Sequence, residues 1–451
     1  TRSSRSNLSR TFRVHLMIKV FIAGVLALLV GLLSAPTRAV LTIEITEGQD
    51  TGIPIAVVPF HFQGQQRPNE DIRNIVSADL YRSGRFLSLP PGDFLSRPSD
   101  PDQVRFKDWR LIKAEALVIG RVSEIGNDHY EVSFYLYDVF KEKLLAGYRW
   151  TVGLSQLRQV AHQMSDYIYE ALTGIPGAFD TRIAYVTVKK DSSNIRQYQL
   201  MVADSDGHNA QQILRTNFPI LSPAWAPDGK RLAYVSFASR TSGAMIWVQN
   251  VETGDRRKLL QVKGTASAPA WSADGRRIAL RLSRDGNHDI YILDVAASRL
   301  TRVTKHPGID TEPAWSPNGR YLVFTSDRSG RPHIFRISAA GGPAERLTRT
   351  GRENAGASYS PNGKHVVMVT NQGNGDQIGV FSTGNNKVKV LTDGPLDDSP
   401  TYSPNGAMIM YATQRGNQGV LAAVSADGRI KQILRLHQGE VREPAWSSWK
   451  Q

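Results

Sequence analysis

The chain of 451 residues has no cysteine. No disulfide can staple it, so burial and hydrogen bonding must hold whatever it folds into. Its one N-terminal apolar run, Val20 to Leu33, has fourteen residues, whereas a membrane-spanning helix needs roughly 20. The ten histidines include no His-x-x-x-His pair, the spacing that would place two metal ligands on one helix face. No Gly-x-Ser-x-Gly elbow presents a serine nucleophile. Residues 40–177 hold no glycine-rich loop set to cradle a phosphate, and no Lys/Arg block with interleaved aromatics suggests a nucleic-acid groove. Asp204-Ser205-Asp206-Gly207 opens like a calcium loop but lacks the later ligands and the closing Glu, so it reads as a hairpin turn.

What is present begins with export. Arg2, Arg5, Arg10, Arg13 and Lys19 precede the apolar run, and Ser34, Ala35, Pro36, Thr37, Arg38 and Ala39 follow it. This is the layout of a secretory signal peptide over residues 1–39, with cleavage expected after Ala39 and a periplasmic mature chain. The absence of cysteine after the run excludes a lipid-anchored start. The charge is unevenly spread. Residues 40–179 hold 14 Lys and Arg against 18 Asp and Glu, a net of −4. Residues 180–451 hold 35 against 23, a net of +12. A basic mouth on that second part, attracting an acidic protein partner, is the expectation.

The second part repeats. Pro223-Ala224-Trp225-Ala226-Pro227-Asp228-Gly229 returns at Pro269–Gly275 and Pro313–Gly319, more weakly at Ala357–Gly363 and Pro400–Gly406, and ends at Pro444-Ala445-Trp446-Ser447. The aromatic positions 225, 271, 315, 359, 402 and 446 are separated by 46, 44, 44, 43 and 44 residues. A period in the forties with strand-like content is the signature of a β-propeller, one blade per repeat. Pro presets φ, Asp or Asn tolerates the next position, and Gly takes the left-handed conformation before the chain re-enters a strand. Arg182 to Val186 copies the second strand of a repeat with no Pro-Ala-Trp before it, while Trp446 ends an inner strand and is followed by only five residues and no Gly. The two fragments make one blade. The expectation is a six-bladed ring over 178–451, closed when the C-terminal strand pairs beside Ile183.

Residues 40–177 read as a small mixed α/β domain. Leu41 to Ile45 alternates like a half-buried strand, and Ile53 to Phe60 is a stronger one. Asn69 is placed to cap a helix carrying Ile72, Ile75, Val76 and Leu80. A second amphipathic helix runs over Leu154–Leu172 and stops at Gly174. If the Trp strands are innermost, the Pro-Asp-Gly turns lie on one face of the ring, where the first domain enters. The other face is then an open mouth, rimmed by residues 265–268, 306–312, 393–399 and 437–443. An enzymatic reading, a lyase or glycosidase, would draw on Asp397, Asp398 or His306 there. Adjacent carboxylates lack the defined separation of an acid–base pair, so a solvated loop is the plainer expectation, and no cofactor, metal or catalytic residue is assigned.

Several stretches together resemble the TolB family, the periplasmic propeller proteins of the Tol–Pal system. They are Ile53 to Phe60, Asp71 to Gly84, the junction Leu172 to Phe179, Arg182 to Val186, and Thr311 to Trp315. The resemblance covers nearly all of the mature chain. It implies a monomeric, non-enzymatic adaptor that binds the lipoprotein Pal at the propeller mouth and the C-terminal domain of TolA through its mature N-terminus. It further implies a role in outer-membrane integrity and in drawing in the outer membrane at division. Carried onto this chain, the TolA-binding segment is Val40, Leu41, Thr42, Ile43, Glu44, Ile45, Thr46, Glu47, Gly48, Gln49 and Asp50. The Pal-binding positions are Thr265, Ala268, Thr311 and Glu312. Thr265 stands where relatives can carry His.

Overall fold

The computed structural model describes residues 41–47, 52–126, 128–190, 192–239, 241–436 and 439–450. The expected signal peptide, Val40, residues 48–50 and His437 lie outside the described residues. The first domain is built on one mixed sheet. Its strands are β2 (Ile53–Val57), β3 (His61–Gln63), β4 (Phe86–Ser88), β5 (Ala116–Gly126), β6 (His129–Asp138) and β7 (Lys143–Gly153), in the order β4-β2-β5-β6-β7, with β3 alongside β5. The parallel pairs β2/β4 and β2/β5 follow from helical crossovers, and β5-β6-β7 is an antiparallel meander. Helices α1 (Ile72–Arg82) and α3 (Leu157–Thr173) cover one sheet face, burying Ile72, Val76 and Leu80 with Leu157, Val160, Met164 and Ile168 against Ile55, Val118 and Phe134. The short α2 (Phe106–Leu111) seals the other face with Trp109. The α1 cap is Asp71, whose side chain accepts from Asn74 N, not Asn69; a carboxylate three residues before a free N–H outcompetes the more distant amide. Gly174 ends α3 at φ 72°, as the sequence leads one to expect.

The second domain is a ring of six blades among the described residues, each an antiparallel four-stranded sheet at its core. With blade 1 the sheet that Glu440–Trp446 shares with Arg182–Lys190, the inner strands of blades 1 to 6 are Glu440–Trp446, Ile220–Trp225, Ala266–Trp271, Asp310–Trp315, Glu353–Tyr359 and Asp398–Tyr402. The repeated turn closes with Gly229 N donating to Ala226 O at 3.0 Å, and its glycines have φ of 65°, 65°, 66°, 71° and 73°. The aromatics join blades: Trp225 Nε1 donates to Ala445 O at 3.2 Å and Trp315 Nε1 to Ala270 O at 3.0 Å. Arg231 and Arg277 stack on Trp271 and Trp315 of the following blades.

The tail closes the ring as the repeat phase requires. Trp446 pairs with Ile183, Ala445 with Ala184 and Arg442 with Val186. Arg182 N donates to Ser447 Oγ, and Trp446 Nε1 donates to Thr181 Oγ1, each at 2.9 Å. The tail also reaches the first domain, where Trp449 Nε1 donates to Gly177 O at 2.7 Å, while Lys450 pairs with Asp180 at the start of the ring at 2.6 Å.

The strand expected at the mature N-terminus forms, but it leaves the first domain. β1 (Leu41–Glu47) is a fifth, outermost strand of blade 6, antiparallel to Lys431–Leu436, with Ile43 opposite Leu434 and Ile45 opposite Gln432. Alternation specifies that one face is buried. It does not specify which sheet edge supplies the partner.

Candidate functional site

Two places combine exposed backbone with unusual chemistry: the mouth and the edge carrying β1. At the mouth, each inner strand contains a β-bulge three residues before its aromatic. The bulged residues Ser222, Ala268, Glu312, Gly356, Ser399 and Glu443 have φ of 50°, 51°, 53°, 60°, 53° and 55°. For a non-glycine residue this left-handed conformation costs about 1–2 kcal/mol, so five of the six store strain around the channel. Two bulges are latched to the next blade. Glu312 Oε2 accepts from Gly356 N at 2.9 Å and from Thr325 Oγ1 at 2.7 Å, and Glu443 Oε2 accepts from Ser222 N at 3.0 Å. Burial pushes the Glu443 carboxyl up against that hydrogen bond, and Asp398 and Glu312 add to the shift.

The structure places Ala268, Thr311 and Glu312 on two neighbouring inner strands, with Thr265 exposed in the loop just before the first. One part of the inner wall of the mouth is acidic: Glu312, Glu353, Asp376, Asp397 and Asp398 surround one cavity. This corrects the expected basic mouth. A net charge is a sum and carries no position; basic residues such as Arg256, Arg257, Lys258 and Arg215 lie exposed on strands at the outer edges of blades. Asp397 also differs from the solvated loop expected of it. It is 1% exposed and accepts from Thr392 Oγ1 and Thr413 Oγ1 at 2.5 and 2.6 Å. Desolvation raises its pKa despite those bonds. His306 Nδ1 accepts from Gly308 N at 2.9 Å, a loop-shaping role.

At the other end, β1 lies against the domain interface. Thr46 Oγ1 donates to Lys431 O at 3.2 Å, and Ile43 lines an apolar crevice with Tyr169, Phe179, Met410 and Leu434. Domain one sits on the turn face, as Asn405 Nδ2 in a blade 6 turn donates to Pro176 O at 2.9 Å. Gly84 is needed at this contact, since a Cβ there would fall 2.2 Å from Ile430 Cγ1 at φ +65°. Sequence reasoning missed the interface's buried ionic cluster. Asp79 and Arg82 of α1, Arg158 and His162 of α3, and Asp206 of the blade 1 turn Ser205–Gly207 converge there. His162 Nδ1 lies 2.7 Å from Asp79 and its Nε2 3.6 Å from Asp206; Arg82 pairs with Asp79 and Arg158 with Asp206. Asp79, His162 and Asp206 could converge on a metal ion, but the two guanidiniums already neutralise both carboxylates, so the arrangement suits a structural charge net. The same arginines, with His162 and His208, hold the Asp206 carboxyl well below its usual range despite burial.

These groups make the interface sensitive to pH. Burial raises Asp166, which accepts from Phe179 N at 2.6 Å and Asp180 N at 3.1 Å in the domain junction, to about 7 from 3.8. Burial lowers His162, but Asp79 and Asp206 outweigh it and the net shift is upward. Both folded-state values lie above the unfolded ones. The stability from Asp166 is fully present below pH 3.8 and is lost as pH rises through about 7. That from His162 is present below about 6.5 and lost above it. The melting temperature is therefore expected to fall between about pH 5 and about pH 8, and Asp166→Asn to flatten the part below neutrality. An identical slope in wild type and Asp166→Asn would remove Asp166 from this account.

The geometry defines a two-domain β-propeller protein whose ring is closed by its own tail and whose first domain caps the turn face. The comparisons narrow this further. The profile of the TolB amino-terminal domain matches residues 41–145, and that of the TolB β-propeller domain matches 169–450. The Tol-Pal system protein TolB of Nitrosococcus oceani is 51% identical over 427 residues, covering 94% of this chain and 98% of that protein. The Alcanivorax borkumensis protein of the same name is 46% identical over 429 residues, covering 95% and 98%. The crystal structure of TolB from Acinetobacter baumannii superimposes with a TM-score of 0.83 at 39% identity, covering 90% of this chain and all of that one. The chain belongs to the TolB family of Tol-Pal system proteins.

Proposed function

We propose that the protein is a non-enzymatic periplasmic adaptor that binds Pal at the propeller mouth and the TolA C-terminal domain through residues 40–50. In this reading it serves outer-membrane integrity and invagination at division. The observation that carries this reading is the division of faces: domain one occupies the turn face, and the opposite mouth presents Thr265, Ala268, Thr311 and Glu312 together. The enzymatic alternative loses its geometry. Asp397 spends both oxygens on threonines, Asp398 accepts from Ser399 N at 2.7 Å, and His306 Nδ1 is occupied. β1 is a terminal strand on an edge, which can detach and pair with another sheet at modest cost. Blade 6 carries β1 at its outer edge and Asp398–Tyr402 at its inner edge, so one sheet runs from the TolA-binding segment to the wall of the mouth. Occupation of the mouth is expected to change TolA affinity through it.

Calorimetric titration checks this. Ala268→Trp is expected to weaken Pal binding by about a hundredfold or more, by blocking a central contact, with TolA binding kept. Removal of residues 40–50 is expected to abolish TolA binding and spare Pal. Pal affinity unchanged in Ala268→Trp, or TolA affinity unchanged in the truncation, would reject the respective half.

A further inference from the structure

The mouth holds a pocket that extends beyond the four rim positions and shares only Glu312 with them. It opens between blades 4, 5 and 6, has a volume of about 430 Å³, and gathers the carboxylates of Glu312, Glu353, Asp376, Asp397 and Asp398. Val369 and the half-exposed Leu396 give it an apolar wall. Among the described residues no Lys or Arg forms an ion pair with any of the five. Arg281 acts on Glu312 and Arg415 on Asp397 only through space. Hydrogen bonds fix the lining: Asp376 Oδ1 accepts from Asn371 Nδ2 at 3.0 Å, and Glu312 is latched to Gly356.

A second observation is independent of the acids. Asn354, also in the lining, is 1% exposed. Its Nδ2 donates to Thr350 O at 2.9 Å and lies 3.0 Å from His333 Nδ1, which fixes the amide's orientation because a carbonyl can only accept. Its Oδ1 is left with no partner. A buried acceptor without a donor costs about 1–3 kcal/mol, and like charges gathered in one cavity repel. Both penalties are relieved by one kind of visitor: a cation that is also a hydrogen-bond donor, on an apolar stem.

We infer that this pocket receives a basic side chain, best an arginine, of the protein docked on the mouth; the inference rests on the reading of the mouth as a docking face. The alkyl stem packs on Leu396 and Val369. The guanidinium, with five donors in a planar fork, meets carboxylates and the Asn354 oxygen at once. The partner thus needs a protruding cation at the pocket, the opposite of the acidic surface that net charge suggests.

The test is calorimetric titration of the mature chain with the soluble domain of Pal at about 50 and about 300 mM salt. The double variant Glu353→Gln, Asp376→Asn is expected to bind about thirtyfold or more weakly at low salt. Its salt dependence should be flattened, and its melting temperature should not fall. Replacing one interfacial Arg or Lys of Pal by Gln should reproduce the loss without adding to it in a double-mutant cycle. If the double variant binds as wild type or tighter while Ala268→Trp still blocks binding, the pocket inference falls and the docking face stands. If wild type does not bind Pal, or Ala268→Trp binds normally, the docking face falls and the inference with it.

Discussion

A chain ending at Gly439 is expected to have no folded propeller. The deleted strand Glu440–Trp446 is not a trailing edge but an inner strand held by its own blade and by the next. It pairs with Arg182–Lys190 in its own blade. Trp225 Nε1 and Ser222 N of blade 2 donate to Ala445 O and to Glu443, and Ser448 Oγ donates to Pro227 O. Its loss uncovers Ala184, Val186, Leu200 and Trp225, which share a core with Ala445, and leaves the edge of Arg182–Lys190 unpaired. Each buried apolar side chain contributes about 1.5–3 kcal/mol, and a whole domain has about 5–15 kcal/mol to lose. The deletion therefore exceeds what the ring can absorb. Removing 41–47 is the control, because that strand is equally long but only edges blade 6. Partial loss of the half-buried Ile43 and Ile45 should cost about 1–3 kcal/mol. Thermal unfolding followed by circular dichroism separates the two; a cooperative transition at the full-length temperature in the shorter C-terminal chain would refute the closure argument.

Asp206→Ala is expected to uncouple the domains. The Asp206 carboxylate is the propeller's contribution to the interface charge net, and Arg158 and His162 of α3 face it from the other domain. Arg158 is also paired with Glu70 at 3.4 Å, a more exposed and weaker partner. Removing one member of a buried ionic set leaves the others desolvated and uncompensated, which costs about 3–5 kcal/mol. The loss falls on the contact between domains, not on either core. Calorimetry should resolve two transitions where wild type shows one, and protease should cut near the junction around Gly177. That glycine cannot be bulkier without strain, since a Cβ would sit 2.3 Å from Asp166 Cα. A single wild-type transition in Asp206→Ala would show that apolar packing alone joins the domains.

Much of the mouth was hidden in the sequence for specific reasons. The left-handed bulges at Ser222, Ala268, Glu312, Ser399 and Glu443 carry no glycine to announce them; only their fixed offset from the aromatics could have shown the pattern. Asp397 looked solvated because its protectors are Thr392, from its own loop, and Thr413, from the following strand, which only the folded loop brings onto its two oxygens. The hydroxyl of Thr392 also accepts from Ile378 N at 2.8 Å, and Thr304 and Thr348 do the same for Ile290 and Ile334 two blades and one blade earlier. This threonine period was present in the sequence and passed unread beside the louder tryptophan.

The sequence alone determined the repeat, its turns, the number of blades and the closure of the ring. These follow from local backbone preferences at Pro, Asp and Gly, recurring at a constant interval, together with the arithmetic of an incomplete first and last unit. Tertiary structure alone decided where β1 pairs, which wall of the mouth is acidic, and that residues 79, 162 and 206 share one buried site. Strand pairing, field and burial depend on which distant groups meet in space, and no local propensity encodes that meeting.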